Sequence, residues 1–107
     1  MVDAVTENQD RLLESSVARA VSVTVSDDTL SVDLQDGRTL AVPLSWYPRL
    51  LHGTEGERAN WKIIGDGEGI SWPSLDEDIS TEEILAGNPS AESDRSLQKW
   101  LESRKRG

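Results

Sequence analysis

The chain has 107 residues, no cysteine, one histidine and a formal net charge of −9. A chain of that size fits one small domain with a modest core, burying about two thirds of its unfolded surface. The composition excludes a disulfide framework, a thiolate zinc site, a cysteine nucleophile and a multi-histidine metal cage within one chain, leaving carboxylates and hydroxyls for any chemistry.

The charge is spread evenly, with four bases against eight acids in residues 1–53 and seven against twelve in residues 54–107. Docking on nucleic-acid phosphates relies on Lys and Arg, so direct nucleic-acid binding is disfavoured and a basic partner protein is favoured. An acidic surface also confers solubility by itself. No apolar run approaches the roughly 20 residues of a membrane span. The N-terminal "MVDAVTENQDRLLESS" carries acids where a secretory signal carries bases. The expectation is a soluble cytoplasmic protein without cofactor.

Residues 1–19 read as a weak helix or a disordered arm. From Ala20 the pattern turns to period two: Val21, Val23 and Val25 alternate with polar residues, then Leu30, Val32 and Leu34 do the same. A two-residue loop at Asp27-Asp28 sets Val25 opposite Leu30 and Val23 opposite Val32, with no bulge needed. Leu40, Val42 and Leu44 supply a third strand. An Asp36-Gly37 two-residue turn would put the apolar residues of the second and third strands on opposite faces. A three-residue loop, Gln35 to Gly37, instead pairs Val32 with Leu40 and Leu30 with Val42, with Gly37 left-handed.

In "SWYPRLLHG", Ser45 is placed to cap a short helix ending at Gly53, its face of Trp46, Tyr47, Leu50 and Leu51 packing on the sheet. Thr54 and Glu57 have capping-box spacing for one more turn. A four-residue loop, Gly65 to Glu68, then makes a second hairpin with Ile63 opposite Ile70 and Trp61 opposite Trp72. The acids of "LDEDIS" read as a solvated loop. Ser80 with Glu83, the staple pair Ile79 and Ile84, and Gly87 bound another helix. "NPSAESDRS" reads as a linker, and Leu97, Trp100, Leu101 and Arg104 form one stripe of a C-terminal helix. That stripe requires cover from the same domain or from a second copy, as in a homodimer. The organisation expected is an arm at 1–19, an α+β domain at 20–87, and a linker with amphipathic helix at 88–107. The domain combines a small antiparallel sheet, a three-stranded meander plus a second hairpin, with short packing helices.

The stretch "DGEGISWPSLDE" has acids at the first, third and last of twelve positions, as a calcium loop does. Ile70 and Ser71 stand where such a loop needs an oxygen ligand and glycine. A phosphate cradle fails too, since "GDGEGI" places Asp66 and Glu68 where the anion's charge would sit. The glycines therefore serve the turn. Asp66, Glu68, Asp76 and Asp78 with His52 remain a carboxylate-based set for a metal or for acid and base chemistry, provided the fold brings them together. No base lies between residues 66 and 83, against seven acids. This points to a non-enzymatic interaction module whose Asp66, Glu68, Asp76, Glu77 and Asp78, with Trp72, dock a basic partner. Leu97, Trp100 and Leu101 are the candidates for self-association.

The segments "DGR", "VPL", "PRL", "ER.NW" and "G.G..WP.LDEDI" occur in that order between residues 36 and 79. In them the chain resembles, over about residues 20–87, a family of small bacterial proteins catalogued as domain of unknown function 2442. The resemblance implies an α+β fold with a small antiparallel sheet. It implies no established activity, but gene pairs with another small protein, as in toxin-antitoxin systems, and hence a genomic neighbour as partner. Some relatives carry a separate DNA-binding helical domain, for which this chain's tail of roughly twenty residues is too short. Ser71 stands where the family pattern carries histidine.

Overall fold

The computed structural model describes residues 18–106, so the expected N-terminal arm lies outside the described residues except for Ala18 and Arg19. Strands β1 (Ala20–Val25), β2 (Thr29–Leu34) and β3 (Thr39–Pro43) form an antiparallel meander in the order β1-β2-β3. Val25 pairs with Leu30 and Val23 with Val32, while Leu30 and Val32 pair in turn with Val42 and Leu40. The three-residue connection is present, with Leu34 N–H donating to the Arg38 carbonyl at 2.8 Å and Gly37 at φ +97°. Facial parity thus selects this loop over the shorter Asp-Gly turn.

The ladder departs from expectation at its start. Ala20 faces Leu34 and Ser22 faces Asp33, so Val21 is the extra residue of a bulge. The bulge turns Val21 outward, 54% exposed, and seats Ala20 in the core at 3%.

The "SWYPRLLHG" segment also differs. Leu44–Trp46 is a turn of 3-10 helix, and α1 (Pro48–Leu51) begins only after it, with Tyr47 at the N-cap. Ser45 caps nothing: the meander's exit places Leu44 in the core and Pro48 fits the first helical position, where no amide partner is required. Tyr47 and Leu50 are buried and Leu51 is exposed. Helix α2 (Glu55–Ala59) carries the full capping box: Thr54 Oγ1 accepts from Glu57 N–H, and Glu57 Oε1 accepts from Thr54 N–H at 2.8 Å.

The second hairpin is larger than the sequence suggests. Strands β4 (Lys62–Ile64) and β5 (Gly69–Trp72) pair Ile63 with Ile70, as the loop length requires, but Trp61 lies just outside the ladder and does not pair with Trp72. A third strand, β6 (Glu77–Ser80), joins β5 and replaces the expected acidic loop. Ile63, Ile70 and Ile79 consequently form one apolar row across three strands. Trp72 is wholly buried and faces Glu77, while its indole Nε1 donates to the Arg58 carbonyl at 2.9 Å.

Helix α3 (Thr81–Ala86) starts at Ser80, whose hydroxyl accepts from Glu83 N–H, and ends at Gly87, φ +79°. The reciprocal half of this second capping box is missing, because the Glu83 carboxylate is engaged by Asn88 Nδ2 at 2.7 Å. Ile79 and Ile84 are both buried, as a hydrophobic staple requires. The meander, α1, the β4–β6 sheet and α3 all feed one hydrophobic cluster, which includes Leu30, Leu44, Tyr47, Ile70, Trp72 and Leu75.

The joint between the two sheets is the glycine turn. The Gly67 carbonyl accepts from Ala20 N–H at 2.7 Å and from the buried Thr81 hydroxyl at 2.8 Å, and Thr81 N–H donates to the Glu68 carbonyl. Gly67 adopts φ +94°, and a Cβ there would fall 2.6 Å from the Ala20 carbonyl oxygen. A glycine is therefore required for the approach of two backbones, which confirms the structural reading of this stretch.

The C-terminal segment returns to the body as α4 (Asp94–Arg106). Leu97, Trp100, Leu101 and Arg104 are half-buried on its inner side, and Trp100 packs against the core cluster of its own chain. No helix of the described residues is long and apolar enough to cross a membrane.

Candidate functional site

The acids singled out in the sequence are divided among three places. Asp66 and Glu68 are exposed in the β4–β5 turn, and Arg19 Nη1 donates to the Asp66 carbonyl at 3.2 Å. Asp76 is exposed at the opposite end of the sheet, in a left-handed conformation (φ 53°), with its carboxylate 3.5 Å from Arg49. Asp78 and Glu77 alternate on β6, so Asp78 points to the outer face and Glu77 shares the inner face with Trp72. Trp72 itself is withdrawn from any docking role, since its indole lies in the core with its N–H already bonded. His52 is exposed at the C-terminus of α1. Among the described residues no group of three or more His, Asp or Glu side chains is arranged to hold a metal ion.

Two concavities flank β6. On the outer face, Gly69 is the ladder partner of both Ile64 and Ser80, so the middle strand contributes no side chain and a trough of about 300 Å³ opens over it. Partly exposed Ile64 forms its apolar floor, and Glu68 and Asp78 line it.

On the other side of β6 lies a cleft of about 380 Å³, closed by α3 and the segment 88–91, with Tyr47, Glu77, Glu83, Asn88 and Ser90 in its walls. Tyr47 is 3% exposed, and its hydroxyl is buried without a hydrogen-bond partner. Burial pushes the phenol's pKa up, and the nearby Glu77 and Glu83 charges push it further. Burial likewise pushes the Glu77 carboxyl up to about 7, against the Arg49 charge that draws it down, while Glu92, Asp78 and Asp76 add to the rise. The cleft thus sets two acids, Glu77 and Glu83, beside a tyrosine whose hydroxyl is closed off from solvent.

The region beside it is held by Arg49, which periodicity did not mark, and by Arg104 of the C-terminal stripe. Arg49 Nε and Nη2 grip the Glu92 carboxylate at 2.7 to 3.0 Å, Nη1 donates to the Asp76 carbonyl at 2.9 Å, and the guanidinium stacks 5.2 Å from the Trp100 ring centre. The Glu92 pKa is held down chiefly by these hydrogen bonds. Arg104 covers the same ring at 4.7 Å and pairs with Glu57 at 2.8 Å. For Arg49 the signal available in the sequence was its position, a lone base between Pro48 and Leu50 in a chain otherwise acidic.

A family model described as Protein of unknown function (DUF2442) matches residues 20–90, well over half of the chain. The chain belongs to this family. Among solved structures, a protein of unknown function from Rhodospirillum rubrum ATCC 11170 is similar over 70% of this chain and 93% of its own, at 28% identity and TM-score 0.61. An uncharacterised protein from Chromobacterium violaceum, solved by NMR, is similar over 88% of this chain and 86% of its own, at 18% identity and TM-score 0.63, which shows a shared fold. No curated protein matches the chain.

The DUF2442 resemblance noted in the sequence now has a structural content in this chain. Arg58 of "ER.NW" donates to the Leu50 and Leu51 carbonyls at the end of α1, at 2.9 and 2.7 Å, while its own carbonyl receives the Trp72 indole. Asn60 of the same segment donates to Ser74 Oγ at 3.0 Å. Within "G.G..WP.LDEDI", Gly67 makes the backbone joint, Leu75 and Ile79 enter the core, and Asp76 makes the left-handed bend that returns the chain as β6. Of these positions Ile79 lines both the trough and the cleft, and the others hold the surrounding elements in place.

Proposed function

We propose that the protein is a non-enzymatic interaction module that receives a basic partner protein on the β6 side of its second sheet. The observation that carries this reading is the trough: Glu68 and Asp78 border an exposed Ile64, a charged rim around an apolar contact. Asp66 and Asp76 flank it at the two ends of the sheet, and no base occurs between residues 66 and 83. Among the described residues, Asp76 is the one member of that acidic run with a cation within 4 Å. Complementary charge of this kind accelerates encounter and selects partners by sign.

The partner proposed is the product of the adjacent gene, in a two-protein arrangement of the toxin-antitoxin kind. The test is stopped-flow association with that protein. The association rate is expected to fall about tenfold between 50 and 300 mM salt, as steered encounters do. The triple substitution Asp66→Asn, Glu68→Gln, Asp78→Asn is expected to slow it similarly at low salt with an unchanged melting temperature. A rate independent of salt, or no association, overturns the proposal.

A further inference from the structure

Strand β6 is an edge of its sheet, and its outward backbone groups have no partner among the described residues. Thr81 N–H donates to the Glu68 carbonyl, and these two residues stand opposite each other, one step beyond the Gly69–Ser80 pair. Bonded and non-bonded pairs alternate along an antiparallel ladder, so Ile79 and Glu77 also bond to β5, while Asp78 and Ser80 turn their backbone groups away from it. The free edge is short and defined. The Asp76 carbonyl at one end is taken by Arg49, and the Ser80 carbonyl at the other opens α3, leaving the Asp78 N–H, the Asp78 carbonyl and the Ser80 N–H. Both residues are exposed, and the trough and the cleft meet at them, since Asp78, Ile79 and Ser80 line both. The opposite wall of the cleft does not cover the edge: Ser90 N–H donates to the Trp46 carbonyl at 3.0 Å, and Arg49 holds Glu92.

We propose that β6 receives an extended segment of the basic partner, which joins the β4-β5-β6 sheet as an added strand by pairing with the Asp78 N–H and carbonyl and the Ser80 N–H. This deepens the docking reading above and rests on it. Strand addition at an exposed edge draws affinity from main-chain bonds and specificity from alternate side chains. The two faces of β6 set that alternation. Residues of the added strand beside Asp78 and Ser80 emerge on the trough side, where Glu68 and Asp78 favour lysine or arginine. Those between them enter the cleft beside Ile79, Pro89 and Ala91, where an apolar side chain fits. A basic-apolar alternation is therefore the matching sequence. Charge disfavours a second copy of the chain, because centred antiparallel pairing of two β6 strands sets Asp78 against Asp78, and like charges directly opposite are destabilising.

Amide hydrogen exchange of the full chain, alone and with the neighbouring gene's product, tests the pairing. The Asp78 and Ser80 amides are expected to slow at least about tenfold in the complex, and the Glu77 and Ile79 amides, already bonded to β5, to change less. Proline is tolerated on an edge strand where its missing N–H faces outward, so Asp78→Pro is expected to keep Ile79 protected. It is expected to weaken association at least about tenfold beyond Asp78→Asn, which removes the charge and keeps the amide. Exchange on the native chain decides independently of whether that variant folds. A short capped peptide alternating lysine and valine is expected to protect the same amides, and its glutamate counterpart to leave them unchanged. Salt-dependent association that leaves the Asp78 and Ser80 amides unprotected, or that Asp78→Pro weakens no more than Asp78→Asn, overturns the strand pairing and leaves the docking reading standing. Protection by the lysine peptide without association with the gene product overturns the docking reading's choice of partner instead. Equal protection by the two peptides, or protection of the isolated chain that rises with its own concentration, overturns the basic occupant.

Discussion

Glu77 stands directly across the β5–β6 ladder from Trp72, so an ionisable carboxyl shares the dry face of a sheet with a fully buried indole. Its pKa is pushed from the ordinary 4.5 to about 7, first by burial. The folded state therefore holds a proton that the unfolded chain has released between these two values, and stability falls as pH rises through that window. Glu77→Gln is expected to remove the fall and to stabilise the protein at pH 8 by about 1 kcal/mol, a figure reduced for the group's partial exposure to solvent. Urea unfolding at pH 5 and pH 8 measures it. An unchanged difference between the two pH values would show that Glu77 is solvated.

At the acid end the sign reverses. The Glu57 carboxyl is lowered to about 2 by the Arg104 guanidinium and then by the Thr54 amide, so its stabilisation is present above 4.5 and lost as pH falls through about 2. Arg104→Gln is expected to return the Glu57 titration toward its ordinary value while costing less than about 1 kcal/mol at neutral pH, because the pair is partly exposed. Carboxyl-carbon NMR of Glu57 reads the shift directly, and a titration that stays near 2 would contradict the pairing.

Arg49 is the clamp between the body and the C-terminal segment. Removing it strands the Glu92 carboxylate, whose side chain is only 9% exposed, without its cation. Arg49→Ala is expected to cost about 2–3 kcal/mol, below the range for fully buried pairs, and to lower hydrogen-exchange protection across α4. Protection equal to the native protein's would mean that Trp100 alone holds the helix. Since that indole already packs within its own chain, Trp100→Ala is expected to reduce stability without changing the mass seen by light scattering.

Gly67 and Gly56 form a matched pair of tests. Alanine at Gly67 meets the Ala20 backbone at 2.6 Å in a left-handed conformation, so Gly67→Ala is expected to cost about 3 kcal/mol or more. Gly56 lies within α2 with open space around it, and Gly56→Ala is expected to stabilise by about 0.5–1 kcal/mol. Thermal melts compare them. Equal effects would refute the backbone joint.

Much of the fold was legible because it rests on rules that act over a few residues. Alternation of apolar side chains, together with the requirement that paired strands show the core the same face, determined the registers of the meander and of the Ile63–Ile70 hairpin. Side-chain caps placed the starts of α2 and α3 for the same reason: their partners lie three residues away. Tertiary structure decided what involves distant partners. Three acidic or polar residues and Ile79 became β6 because β5 offered an edge and Ile79 completed a row with Ile63 and Ile70. That pairing turned Glu77 inward from the acidic run, and the returning segment 88–91 enclosed it with Tyr47. The outward turn of Val21 arose likewise from the strand's junction with Gly67. The sequence by itself determined which residues carry charge and how neighbouring strands align; desolvation, which depends on atoms far along the chain, decided which carboxylate belongs to a site.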